Sequence, residues 1–202
     1  MRGSEFRRWV AARRSVRRFR ATPIPEETLK ALLDAACQAP SAHNRQPWRF
    51  AVVTGSQARQ HLAASMADKH RADMLADGRD PSSVEPRVEA RRQRLVQAPA
   101  CIVVCLSMRE MDLYPDPERQ ASERTMAVQS AALAGGHLLL AAHAHGLGAC
   151  WLCAPLFAPE IVRRVLDLPQ DWEPQAVLVV GEPDETPADP GRRPLDEVVV
   201  WR

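Results

Sequence analysis

Five arginines stand within eight positions in Arg13-Arg14-Ser15-Val16-Arg17-Arg18-Phe19-Arg20. Guanidinium forks match phosphate oxygens in pairs, and the serine adds a hydroxyl donor. The same run also reads as a solvated basic face. A nucleic-acid reading is weaker, because no aromatic platform or recognition motif accompanies it. A second stretch, Ala39-Pro40-Ser41-Ala42-His43-Asn44-Arg45-Gln46-Pro47-Trp48, sets side chains that both donate and accept hydrogen bonds between two prolines. Such a loop can read the edge of a heteroaromatic ring, and it can equally be a plain turn. His43 close to Ser41 is not evidence of a nucleophile, since no nucleophile elbow or oxyanion motif accompanies the pair. A third stretch is Gly146-Leu147-Gly148-Ala149-Cys150-Trp151-Leu152-Cys153-Ala154-Pro155. Its glycines suit a helix end and leave the following backbone free to present N–H groups to a ligand.

The remaining groups with chemical potential carry less. Cys37, Cys101, Cys105, Cys150 and Cys153 are odd in number and have no framework spacing, which argues for free thiols in a reducing compartment. Cys150-x-x-Cys153 would lie in a strand, where side chains three apart point to opposite faces, so two separate thiols are expected rather than a redox pair. The six histidines, His43, His61, His70, His137, His143 and His145, show no metal-ligand spacing. No metal is expected, and no side chain is singled out as a catalytic acid or base.

These stretches need elements to position them. A short helix carrying Phe6, Trp9 and Val10 on one face is expected to end near Ser15. Pro25, Glu26 and Glu27 open a second helix, with proline in the first turn and acids at its positive end. Its stripe is Leu29, Leu32, Leu33 and Ala36, and Pro40 ends it. Phe50–Val53 reads as a short buried strand and Ser56 to about Met74 as a helix. Asp77–Pro86 reads as loop and Arg87–Val96 as a solvated helix. The continuous apolar run Cys101–Leu106 reads as a central strand.

Asp116, Pro117 and Glu118 begin a helix that runs to about His145, about 42 Å at 1.5 Å per residue. Its second half is apolar nearly all round, so it should be buried on every side, in part by a second subunit. Gly135-Gly136 in its middle costs about 1 kcal/mol per glycine relative to alanine, which predicts a close neighbour there. Strands follow at Ala149–Cys153, Ala176–Val180 and Val198–Trp201, with a short helix at Glu160–Leu166 between the first two.

At 202 residues, 46% hydrophobic and 26% charged, the chain suits a single domain spanning 1–202. A net charge of +2 gives no strong global attraction to nucleic acid or membrane. The most apolar stretch, Ala131–Ala142, falls short of the roughly 20 residues of a membrane span. No secretory signal is evident at the basic start. A cytoplasmic location is expected.

In order and spacing, Arg13-Arg14-Ser15-Val16-Arg17, Pro40-Ser41-x-x-Asn44-x-Gln46-Pro47-Trp48 and Gly146-Leu147-Gly148 resemble the motifs of the nitroreductase-like flavoproteins. Asp73 with Asp77-Gly78, Tyr114-Pro115-Asp116 and Leu168-Pro169-x-Asp171-Trp172-Glu173-Pro174 look like the branch that forms the flavin-binding C-terminal domain of the actinobacterial deazaflavin (factor 420) glutamate ligases. The likeness runs from about Trp9 to Trp201. It implies an α+β fold in which helices flank a central mixed sheet, with a long buried central helix and a domain-swapped homodimer.

It also implies an FMN-dependent oxidoreductase that acts on a deazaflavin precursor or related small molecule, with NAD(P)H as a possible donor. A general NAD(P)H-dependent nitro- or quinone reductase and a non-catalytic flavin- or deazaflavin-binding protein are the alternatives. By the resemblance, Arg13, Arg14, Ser15, Val16 and Arg17 would hold the FMN phosphate and ribityl chain, with Arg192 or Arg193 closing on the phosphate. Ser41, Asn44 and Gln46 would meet the ring edge or come from the partner chain. Backbone at Leu152 and Cys153 would face the reactive flavin nitrogen, and Asp73 would touch substrate. The likeness lacks the ligase domain that precedes its counterpart, so coupling to glutamylation is expected only if the ligase is a separate chain.

Overall fold

The computed structural model describes residues 2–202. The elements in chain order are α1 (Gly3–Ala12), α2 (Glu26–Cys37), β1 (Trp48–Val53), α3 (Ser56–Ala76), α4 (Pro81–Val96), β2 (Ala100–Leu106), α5 (Pro117–Ala144), β3 (Gly148–Leu152), α6 (Pro159–Val165) and β4 (Glu173–Gly181).

The strands form one sheet in the order β1-β2-β4-β3. All three pairings are antiparallel. The expected mixed sheet is thus corrected in detail: among the described residues the parallel component is one bridge, Ser15 to Ala149. Every residue of β2 is buried, as its unbroken apolar run predicts. Strand alternation then divides the core. Ala100, Ile102, Val104 and Leu106 of β2, with Leu178 and Val180 of β4, face α2 and α5. Cys101, Val103 and Cys105, with Val177 and Val179, face Leu62, Ala63 and Met66 of α3 and Val162 of α6. The result is three layers, helix–sheet–helix, of the α+β class.

The long helix α5 is capped by Asp116, whose carboxylate accepts the Arg119 N–H at 2.8 Å, and Pro117 sits in its first turn. By length and composition it is apolar enough to cross a membrane, but Ala127, Ala131, Ala134, Leu138 and Ala142 are buried in the core with α2 and the sheet. The expected neighbour of the diglycine is Trp151: a Cβ on Gly135 would lie 2.1 Å from its ring, whereas one on Gly136 would meet nothing within 4 Å. Within this chain α5 is not buried all round, and Leu133 is 48% exposed.

Two expectations fail. Asp77–Pro86 is not a loop throughout, because α4 already begins at Pro81 and carries Pro86 inside it. Val84 and Val88 are buried against Ala67 and Met74 of α3, and that packing outweighs the backbone hydrogen bond lost at Pro86. With Leu95 also buried, α4 is amphipathic rather than solvated. Val198–Trp201 forms no strand in this chain. Val198, Val200 and Trp201 lie exposed with no neighbouring strand to pair with, Trp201 at 89%.

Candidate functional site

After α1 the backbone turns extended at Arg13 and crosses the start of β3. Val16 donates its N–H to Ala149 O at 3.1 Å and buries its side chain against Gly148. Only glycine permits this approach, since a Cβ there would come 2.7 Å from Val16 Cβ. Phe19 is stapled likewise against Gly181 and bridges Pro183. With Val16 and Phe19 pinned inward, the arginines between and before them point away from the core.

Their charges are not equally engaged. Arg14 pairs with Asp189 at 2.7 Å and Arg18 with Glu185 at 3.1 Å. Burial opposes the Glu185 charge, but the N–H groups of Arg17 and Arg18 and the Arg18 guanidinium outweigh it and hold this carboxyl below its ordinary range. Among the described residues, the side chains of Arg13 and Arg17 form no ion pair and donate only to the carbonyls of Arg14 and Ser15. A cavity of about 380 Å³ opens here, lined by Arg13, Arg14, His143, Gly148 and Glu185 among others. Arg192 is exposed and donates to Gly191 O. Its segment is drawn toward the arginines because Asp189, the partner of Arg14, also accepts the Gly191 N–H at 3.0 Å.

At the far end of β3, Leu152 leads into Cys153, which is exposed, and Ala154. The Trp151 indole N–H donates to Cys153 Sγ at 3.0 Å, while Cys150 is buried on the sheet, so the two thiols lie apart as expected. Burial pushes the Cys101 and Cys105 thiols up to about 12, leaving them inert.

A second cavity, of about 340 Å³, lies between α3 and α4 and reaches Ala154. Met66, Met74, Val88 and Leu95 make its floor, and Lys69, His70, Asp73 and Arg91 its rim. Asp73 is ion-paired to Lys69 one helical turn earlier. Arg91 has no carboxylate partner among the described residues and lies against the His70 ring. Burial first, then the Arg91 charge, lower the His70 pKa below its ordinary 6.5 against the pull of Asp73. The imidazole is therefore neutral at pH 7. His70, Arg91 and Lys69 were not singled out from the sequence. The available signal was the stripe Met66, His70, Asp73, Asp77, at helical spacing, which mixes apolar and ionisable residues on one face.

The Ser41–Pro47 stretch lies elsewhere and lines neither cavity. His43, Asn44 and Gln46 have φ of 49°, 55° and 50°, a left-handed conformation costing about 1 kcal/mol or more per non-glycine residue. Internal bonds offset some of this: Ser41 Oγ accepts the Gln46 N–H at 3.0 Å, and the Gln46 amide donates to Asn44 Oδ1 at 3.3 Å. The loop is fastened to the body by Ala42 N–H to Ser130 Oγ at 3.2 Å, by an ion pair from Arg45 to Asp112, and at its C-terminal end by Ser107 N–H to Pro47 O at 2.8 Å and the Arg49 guanidinium to Gln46 O at 3.1 Å.

One chain thus joins Arg13, Arg14, Ser15, Val16 and Arg17 to the start of β3, and the cavity rimmed by Asp73 to Ala154, two residues past its end. It leaves Ser41, Asn44 and Gln46 apart. Free guanidinium donors at the start of β3 fit the phosphate arm of a cofactor such as FMN, while the apolar cavity past its other end, with a single unpaired guanidinium, fits a separate flat molecule.

Known proteins agree. The nitroreductase family model matches residues 10–182. An NADH dehydrogenase of Thermus thermophilus is 32% identical over 94% of this chain and 92% of its own length. The 5,6-dimethylbenzimidazole synthase of Rhodospirillum rubrum is 34% identical over 86% of this chain and 79% of its own. A nitroreductase-type protein of Desulfovibrio desulfuricans, solved in complex with FMN, is 26% identical and superposes with a TM-score of 0.73 over 96% of this chain and 95% of its own. With the helix–sheet–helix core, the phosphate-suited arginines and this similarity along nearly the whole sequence, the chain belongs to the nitroreductase family and is an FMN-dependent oxidoreductase.

Proposed function

We propose that the protein takes reducing equivalents from NAD(P)H and delivers them to a small flat aromatic acceptor, as a cytoplasmic homodimer whose FMN sites are completed by the partner subunit. The observation that carries this is the division of the site: the phosphate-suited segment and the backbone assigned to the ring lie at the two ends of β3 of one chain, while the strained ring-edge loop lines neither cavity there. A second subunit would bring that loop to the ring. The bare face of α5 at Leu133 and Gly136, and the exposed apolar tail Val198–Trp201, support the same assembly, since a lone chain would show more apolar surface than a soluble monomer usually does. Exposed free thiols at Cys37 and Cys153 fit a reducing compartment.

Bound FMN supplies the hydride chemistry. The chain's own part is to bind and orient. Arg13 and Arg17 neutralise the phosphate, and Arg192 closes over it. The N–H of Ser15 and its hydroxyl serve the ribityl arm. Backbone at Leu152 and Cys153 borders the reactive edge of the ring. The α3–α4 cavity then receives the acceptor on its apolar floor, with Arg91 and neutral His70 as donors to an electron-rich rim and Asp73 as a charge to be matched.

The purified protein is expected to be yellow with one FMN per chain and to lose its colour on anaerobic NAD(P)H addition. A colourless protein that takes up no FMN would overturn the reading. A narrower reading, a deazaflavin precursor as acceptor, is favoured by Asp73 lying on the rim of that cavity. Tight binding of a deazaflavin, measured by quenching of its fluorescence and lost in Asp73→Asn, distinguishes it from general quinone or nitro reduction.

A further inference from the structure

Glu123 sits on α5 with no solvent exposure. Its Oε1 accepts the Asp112 N–H at 3.0 Å, and its Oε2 has no partner. A half-satisfied buried carboxyl is a costly way to fill a core position that an apolar side chain of the same volume would fill without penalty. What it does hold is the segment carrying Asp112, and the Asp112 carboxylate is the ion-pair partner of Arg45. Arg45 stands between Asn44 and Gln46, both left-handed.

Seven residues further along α5, two turns on and so on the same face, Ser130 is also buried. Its hydroxyl donates to Met126 O at 2.7 Å and accepts the Ala42 N–H at 3.2 Å. One face of α5 therefore grips the left-handed part of the loop at two points, directly at Ala42 and through Asp112 at Arg45, while Ser107 and Arg49 hold the carbonyls of Pro47 and Gln46. Of the loop's own bonds, the one from Gln46 N–H to Ser41 encloses both grips and the one from the Gln46 amide to Asn44 straddles the second.

We infer that Glu123 and Ser130 are positioning residues for FMN binding: they hold the 41–47 loop in its strained left-handed form, so that the binding interaction does not have to supply the ordering. The inference rests on the reading that Ser41, Asn44 and Gln46 meet the flavin. It assigns Glu123 no contact with flavin or substrate, and its signature is flavin retention and loop protection rather than fold stability.

The test uses the FMN-loaded full chain and three readouts: the rate of FMN release by recovery of its fluorescence, the visible flavin spectrum, and amide hydrogen exchange at residues 41–47. Glu123→Met keeps the volume and loses the acceptor, so release should quicken about tenfold, the equivalent of one net hydrogen bond. The flavin band should shift and the loop amides should exchange faster. Glu123→Gln keeps a carbonyl acceptor and should stay within about twofold of wild type by the same measure. Asp112→Asn should act in the same direction as Glu123→Met, and the double variant should be no worse than Glu123→Met alone, because both lie on one path.

A Glu123→Met protein with a lower Tm but wild-type release, spectrum and loop exchange would overturn the proposal, and so would additive effects in the double variant. If Glu123→Met does not fold, Asp112→Asn decides, and unchanged release there sinks the idea. Ser41→Ala with Asn44→Ala separates the two layers of argument. Unchanged release in that pair removes the ring-edge reading itself and the inference with it, whereas faster release there beside normal release in Glu123→Met overturns the positioning role alone.

Discussion

The arginine segment and the ring-edge loop are both short, polar and irregular, yet they are held in opposite ways. The arginine segment lies on the sheet of its own chain, fastened by Val16 and Phe19 to the glycines of β3 and β4, with Arg13 and Arg17 left free to bind. The loop is fastened to α5, holds three residues at positive φ, and approaches neither cavity. The first is a donor set completed within the chain. The second is a rigid shape prepared for something the chain does not itself present. On the proposed function, conformational strain is concentrated in the region that would meet a partner, and unpaired charge in the region that would meet an anion.

The largest expected effect comes from erasing the first region's function. Arg13→Ala with Arg17→Ala should weaken FMN binding about a hundredfold or more, since each charged hydrogen bond is worth about 1.5–3 kcal/mol. The Tm of the flavin-free protein should barely change, because neither side chain forms an ion pair among the described residues. Arg14→Ala should cost less affinity and instead loosen the Asp189–Arg192 segment, which limited proteolysis would detect. Equal loss in both variants would erase the distinction drawn between paired and free arginines.

On the proposed dimer, the adjacent glycines of α5 would separate what serves the chain from what serves a second subunit. Gly135→Leu must displace Trp151 and should destabilise the fold by about 3 kcal/mol, read as a lower denaturant midpoint. Gly136→Leu meets nothing within the chain, so the fold should survive while the dimer weakens in analytical ultracentrifugation. A Gly136→Leu dimer as tight as wild type would remove α5 from the interface.

A smaller change is expected at the rim of the α3–α4 cavity. Asp73→Asn leaves the flavin site alone but frees Lys69, and should raise the KM for a charged deazaflavin acceptor about three- to tenfold, on the order of one partly exposed charge interaction. The KM for a neutral quinone should stay put. The smallest effect is at His70. Its pKa is lower in the folded chain than its ordinary 6.5, so the unfolded chain takes the proton first, and this contribution to stability is present above about pH 6.5 and lost as pH falls below it. A His70→Asn variant should flatten that part of the Tm–pH curve, and an unchanged slope would show that the ring is not held neutral by burial and Arg91.

Much of the site could be read from residue types alone. A dense run of guanidinium groups points to an anionic ligand or to a solvated basic face before any fold is known, and the helix starts beside Pro25 and Asp116 follow from local signals that need no distant neighbour. The apolar run of β2 announced a strand covered on both faces, as it is. Less local features did not declare themselves. Pro86 reads as a breaker, and only the burial of Val84 and Val88 against α3 makes α4 helical there. His70 and Arg91 stand 21 residues apart and face one another only because α3 and α4 pack as a pair.

By itself, then, the sequence determined the phosphate-suited segment, the apolar strands and long helix that form the core, and a diglycine that needed a close neighbour, because each depends on short-range sterics or on the chemistry of one residue type. Which arginines are free, that Trp151 is the neighbour of Gly135 while Gly136 stays open, and that a buried glutamate reaches the ring-edge loop through Asp112 were decided only in three dimensions. Ion pairing and close packing are set by distances between segments far apart in the chain, and no local pattern of residues encodes those distances.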